Sequence, residues 1–198
     1  MYLTAACLTM LSRTILLTAV ACLALGCGEK PTAPTPVVLQ TVAELAFSNP
    51  AQAGPALLAQ SITLPPGGAF NHIRFRWTPF PGAPPLTGSV YVIDREYLGP
   101  ITSVSTAPGL VARSTGIESG EYVFDPAVTL AGGTKYWFAS DSSVGFLCSQ
   151  PTSDVYAGGD LYFTGSLTGG ETSYLRAFVY SQTEQLDSSF SLRGARVQ

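Results

Sequence analysis

Between Phe70 and Trp77 the chain alternates. Ile73, Phe75 and Trp77 fall on one side, and His72, Arg74 and Arg76 on the other. A two-residue period of this kind belongs to a strand buried on one face. Pro65-Pro66-Gly67-Gly68 turns into it, and Leu57–Leu64 predicts the strand before the turn. Pro79–Pro85 reads as a loop, Ser89–Tyr97 as a strand and Gly99–Gly109 as a Pro/Ser/Thr loop. Leu110–Ser114 and Glu121–Asp125 predict strands on either side of Gly116–Gly120. Val128–Ala131, Gly132-Gly133 and Lys135–Phe138 predict a short strand, a tight turn and an aromatic strand. Asp160–Thr164, Tyr174–Ser181 and Ser188–Val197 bring the total to about ten short strands. Ala43–Phe47 adds either a turn of helix or an edge strand. There is no amphipathic helix of useful length and no repeat of fixed period. The pattern predicts an all-β chain folded as a single antiparallel β-sandwich.

The first thirty residues follow another pattern. Arg13 is the only charge before Glu29, and the mostly apolar run Thr14–Leu25 follows it. A basic start, a run of this length and small residues after it describe a secretory signal peptide. The run is short for a bilayer span. Ala24-Leu25-Gly26-Cys27 resembles a bacterial lipobox, with Ala24 where Leu, Val or Ile is usual. The resemblance implies that Cys27 becomes the lipidated first residue of a surface lipoprotein, held in the membrane by several acyl chains. Ala19-Val20-Ala21 is the competing cleavage site and would give a secreted chain beginning at Cys22. Gly28, where Asp would resemble an inner-membrane retention signal, leans towards the outer membrane or cell surface. Met10 gives a better-proportioned signal than Met1. Pro31, Pro34 and Pro36, spaced by threonines and alanine, then favour an extended spacer. The expected organisation is a signal peptide over 1–26, a lipidated cysteine and tether over 27–37, and the sandwich over 38–198.

Charge and cysteine content narrow the partners. Ten Lys+Arg stand against 13 Asp+Glu, with a single histidine. So weak a balance argues against nucleic acid and against a polybasic membrane surface. Of the four cysteines, Cys7 and Cys22 lie in the signal and Cys27 is the lipid site, which leaves Cys148 alone. No internal disulfide is then expected, and Cys148, within Gly145-Phe146-Leu147-Cys148, reads as a buried apolar thiol.

From about Ala59 onward the order of features resembles a family of bacterial exported β-sandwich modules, the choice-of-anchor type. The resemblance rests on Ala59-Gln60-Ser61-Ile62-Thr63-Leu64, Ile73-Arg74-Phe75-Arg76 and Gly88-Ser89-Val90-Tyr91-Val92. It continues through Tyr122-Val123-Phe124-Asp125, Leu130 to Trp137, Tyr156-Ala157-Gly158-Gly159 and Asp187 to Gly194. It implies a jelly-roll-like sandwich and supplies no catalytic residues.

Candidate chemistry is sparse. A Ser-His-Asp mechanism would have only His72 as base, and no Gly-x-Ser-x-Gly elbow exists. One histidine and one free cysteine are a poor zinc set. Asp94 and Glu96 are expected on one strand face with Val90 and Val92, and Asp125 and Asp141 at strand ends, so paired carboxylates could serve a small extracytoplasmic glycoside hydrolase. Asp141, Asp154 and Asp160 offer loop oxygens suited to Ca²⁺. Trp77, Trp137, Tyr156, Tyr162 and Tyr180 are candidates for stacking on sugar rings. The two tryptophans read as core, and Tyr156, beside Gly158-Gly159, as the better exposed platform. The row His72, Arg74, Arg76 suits an acidic sugar or carboxylate.

The combined expectation is a non-enzymatic surface module that binds glycan or an envelope component. The alternatives are the carboxylate hydrolase and an accessory lipoprotein docking to an envelope complex. Lipidation is directly testable. In a bacterial host given labelled palmitate, the chain should take up label and partition into detergent, and Cys27→Ala should abolish both. Full labelling of the variant would overturn the assignment.

Overall fold

Alternation of apolar and polar side chains, broken at a few bulges, sets the architecture. The computed structural model describes residues 37–46, 51–148, 156–165, 173–176 and 188–197. Its strands, in chain order, begin with β1 (Gln40–Leu45), β2 (Ala51–Ala56), β3 (Leu58–Thr63), β4 (Ala69–Trp77) and β5 (Val90–Ile93). Next come β6 (Leu110–Arg113), β7 (Gly116–Glu118), β8 (Glu121–Val123), β9 (Leu130–Ala131) and β10 (Lys135–Ser140). The last are β11 (Val144–Cys148), β12 (Leu161–Gly165), β13 (Ser173–Arg176) and β14 (Phe190–Arg196).

Two six-stranded antiparallel sheets face each other. Sheet one runs β1-β14-β4-β8-β7, with β9 also on β4, and sheet two runs β13-β12-β3-β10-β5-β6. β11 and β2 form a separate ribbon. This is the expected all-β sandwich, built from fourteen described strands rather than about ten. Of the Ala43–Phe47 alternatives, Ala43–Leu45 form the end of the edge strand β1, and Phe47 lies outside the described residues. The chain divides after Pro36, and Val37–Gln198 is a compact unit. Among the described residues no helix is long and apolar enough to cross a membrane.

The inward residues of β4 build the core. Phe75 stacks on Phe138 of β10 with ring centroids 4.6 Å apart, joining the two sheets. Trp77 meets Phe75 edge-on at 4.6 Å and Tyr122 at 6.2 Å. Phe190 of β14 lies 6.4 Å from Phe75. All five rings are fully buried. Pairs of this geometry contribute about 0.5–1.5 kcal/mol each beyond the area they remove from water.

Sheet two is covered on its outer face as well. The expected strand Ser89–Tyr97 stops at Ile93, and all four residues of β5 are buried. Val90 and Val92 join the inter-sheet core, while Tyr91 and Ile93 join Ala59, Ala139 and Tyr162 in a second cluster. Val104 and Ala107 close that cluster. They come from the segment read as a plain loop, which contains a 3-10 turn over Ile101–Thr106. A strand buried on both faces loses its alternation.

β4 carries the main irregularity. Arg193 of β14 pairs with Arg74, but Ala195 pairs with Asn71, so β4 holds one extra residue between them. His72 takes up the difference with φ +50°, a conformation that non-glycine residues rarely adopt. The bulge also moves Phe70. Strict alternation would place Phe70 with His72 and Arg74, yet it is buried. Asn tolerates this backbone conformation, and a β-branched side chain does not. His72→Val should therefore lose about 1–2 kcal/mol more than His72→Asn in urea denaturation. Equal losses would show that the bulge relaxes without strain.

Candidate functional site

Outward residues of β4 and its neighbours meet on the exposed face of sheet one. The β7–β8 hairpin closes through Ser119 and Gly120, with φ +51° and +76°. Two positive φ values in a two-residue turn match the twist of the flanking strands, and glycine at the second position adopts one at no steric cost. The turn sets Glu118 directly opposite Glu121. Arg74 pairs across with Val123 on β8, which brings its guanidinium between the two carboxylates.

Arg74 Nη2 donates to Glu118 Oε2 at 2.8 Å, and Nη1 lies 3.8 Å from Glu121 Oε2. Arg193 Nη1 reaches the same Glu121 oxygen at 3.3 Å. Glu121 is buried under the two guanidiniums, whereas the Glu118 side chain is 61 % exposed. A buried carboxylate needs such partners, because leaving it unpaired would cost several kcal/mol, about 3–5.

Beside this cluster lies a cavity of about 320 Å³ lined by His72, Arg74, Glu118 and Thr115, with Val123, Phe124, Pro126, Val37 and Leu39 as its apolar wall. His72 Nδ1 is 3.0 Å from Asn71 Oδ1. Arg76, on the same strand face, is exposed. The structure thus gathers His72 and Arg74 at one groove and leaves Arg76 along its strand. Glu118, Glu121, Val123 and Arg193 complete the arrangement and were not singled out from sequence.

The other candidates fall elsewhere. Tyr156 is not an open platform: it is half-buried and meets Phe190 edge-on at 5.1 Å. The glycines beside it answer to packing, since a Cβ on Gly159 would collide with the Ser61 carbonyl. Tyr162 is not exposed either. It has no accessible surface, and its hydroxyl donates to Glu96 Oε1 at 2.9 Å. Trp77 is core, and Trp137 lies half-buried against the second cluster.

The carboxylates do not assemble as expected. Glu96 lies beyond the end of β5 rather than on its face with Val90 and Val92. Asp94 is exposed and bonded to Arg95 at 2.8 Å, and Asp125 caps the Ala127 N–H. Asp141 accepts from the Ser89 N–H at 2.6 Å and from the Tyr91 hydroxyl at 3.1 Å. Asp160 lies 4.0 Å from Lys135, at the opposite end of β10 from Asp141. Six strand residues separate the two by roughly 20 Å, too far to share one Ca²⁺. Among the described residues no group of three His, Cys, Asp or Glu could hold a metal ion. Cys148 is half-buried against the core, and burial pushes its thiol up. Cys27, Asp154 and Tyr180 lie outside the described residues.

Comparison with known proteins found no matching family model, no matching curated protein and no matching solved structure.

Two tyrosines beneath these surfaces set an alkaline limit. Burial pushes the phenols of Tyr122 and Tyr162 up to about 12, with the Asp141 carboxylate adding to the rise for the first and Glu96 for the second. An unfolded phenol releases its proton near 10. Between those values the folded chain binds more protons than the unfolded one, so stability is complete below pH 10 and falls as pH rises towards 12. The urea midpoint should drop across that window, and Tyr162→Phe should flatten the drop. An unchanged slope in the variant would remove Tyr162 as a cause.

Proposed function

We propose that this is a non-enzymatic cell-surface lipoprotein whose β-sandwich binds a glycan of the cell envelope or its surroundings in the groove on sheet one. One observation carries the ligand reading. A cavity of about 320 Å³ combines an apolar wall with convergent guanidinium, imidazole, carboxylate and hydroxyl groups. Small-molecule sites have this composition, with apolar lining for contact area and a few polar groups for orientation. A sugar ring matches it, because its C–H faces pack on Val123 and Pro126 while its hydroxyls meet the polar side.

The membrane anchor rests on Cys27 and the apolar run before it. The binding reading rests on what the groove offers. Arg74 and Glu118 occupy each other, Glu121 is sealed beneath Arg74 and Arg193, and no free pair of carboxylates faces the cavity among the described residues. That arrangement suits holding a ligand better than splitting one.

A glycan array probed with the purified chain tests this. Saturable binding should appear and weaken at least tenfold in Val123→Trp, which fills the groove from its apolar wall, with the variant's melting temperature checked in parallel. Binding that survives Val123→Trp would move the ligand off sheet one. No binding to any glycan would overturn the reading.

A further inference from the structure

We infer that the groove takes a saccharide bearing a carboxylate, of the uronic or sialic acid type, and that Glu118 stands in its place until the ligand arrives. This deepens the glycan reading above and rests on it.

The charge balance around Arg74 is the starting point. Arg74 and Arg193 bring two positive charges against the one on buried Glu121, which leaves one positive charge over. Further along the face, Arg76 is offset by Glu44, since both are in register with Ser191, so the surplus belongs to the Arg74–Arg193 pair. Among the described residues Glu118 is the only carboxylate lining the cavity, and it meets the surplus through a single 2.8 Å contact to Arg74 Nη2.

Glu118 is poorly held there. Its side chain is mostly exposed, and β7 is a three-residue edge strand paired only to β8. An ion pair so open to water contributes little, because solvent screens it and two long side chains lose freedom to make it. Arg74 is much better fixed. It rises from β4, the third strand in from the β7 edge and paired on both sides, and its Nη1 lies 3.8 Å from the buried Glu121. The pair thus joins a fixed guanidinium to a loosely held carboxylate.

The position of the Glu118 carboxylate defines a locus where an anionic oxygen is accepted at hydrogen-bonding distance. A ligand carboxylate there makes the same charge-assisted bond to Arg74 and replaces Glu118 without breaking the Glu121 pairs. The apolar wall of Val123 and Pro126 gives the attached ring its contact surface, which acetate or phosphate alone would not use. Displacement moves no covalent bond and needs no co-reactant.

The experiment uses acidic oligosaccharides carrying uronic or sialic acid, printed beside their carboxyl-reduced counterparts. The purified chain is compared with Glu118→Gln and Arg74→Gln, and hits are titrated calorimetrically. Acidic glycans should bind and their reduced forms should not. Glu118→Gln should tighten binding about two- to fivefold by removing the competitor. Arg74→Gln should weaken it at least tenfold, roughly the value of one charge-assisted bond. The gain in Glu118→Gln cannot come from misfolding, so the outcome does not depend on the arginine variant alone. Binding of neutral and acidic forms alike, unmoved by Glu118→Gln, would overturn this inference and leave glycan binding standing. Acid-specific binding unchanged in Arg74→Gln would overturn the placement. Silence on every glycan would overturn both readings.

Discussion

The stack of Phe75 on Phe138 is the contact that everything else in the sandwich accommodates. It joins the middle of β4 to the middle of β10 across the gap between sheets, and its 4.6 Å separation fixes how closely they approach. Trp77, Tyr122, Phe124 and Phe190 then fill the space around it at tilted or edge-on angles. Because Phe75 must point inward, Arg74 and Arg76 must point outward. The polar face of sheet one is therefore a consequence of the core.

The same logic explains why buried polar side chains cost the fold little. Ser140 Oγ takes the Leu58 N–H at 2.8 Å and returns a bond to the Leu58 carbonyl at 3.0 Å. Ser114 Oγ takes the Val90 N–H, and Ser61 Oγ takes the Asp160 N–H. Gln60, inside the core, accepts from Ser188. At the three serines a hydroxyl of the opposing residue takes the backbone N–H at the end of a ladder, so the buried backbone stays paired.

Much of this was legible in the sequence, and the gaps have physical causes. The alternation of Ile73, Phe75 and Trp77 against Arg74 and Arg76 defined the working strand and its faces. The bulge at His72 left one trace, Phe70 appearing on the polar side of a strict alternation. β5 misled, because a strand covered on both faces has no polar phase to read. The glycines after Tyr156 resembled a ligand loop, although Gly159 is there for its close approach to Ser61. Glu118 could not be tied to Arg74, since 44 residues separate them and only the register of β4 with β8 brings them together. Single residues carried the core, whereas the groove needed pairings that no local pattern encodes.

The β7–β8 hairpin forms one rim of the groove, and its place in the sheet governs how the groove behaves in time. β4, next to β8 in the same sheet, is paired on both sides and anchored to the other sheet through Phe75. β7 ends the sheet, is exposed along its length and contributes little to the core. Elements of that kind open at a small fraction of the global unfolding free energy. The groove therefore joins a strand tied into the core to a rim held by one neighbour, and its two sides differ in how little free energy it takes to open them.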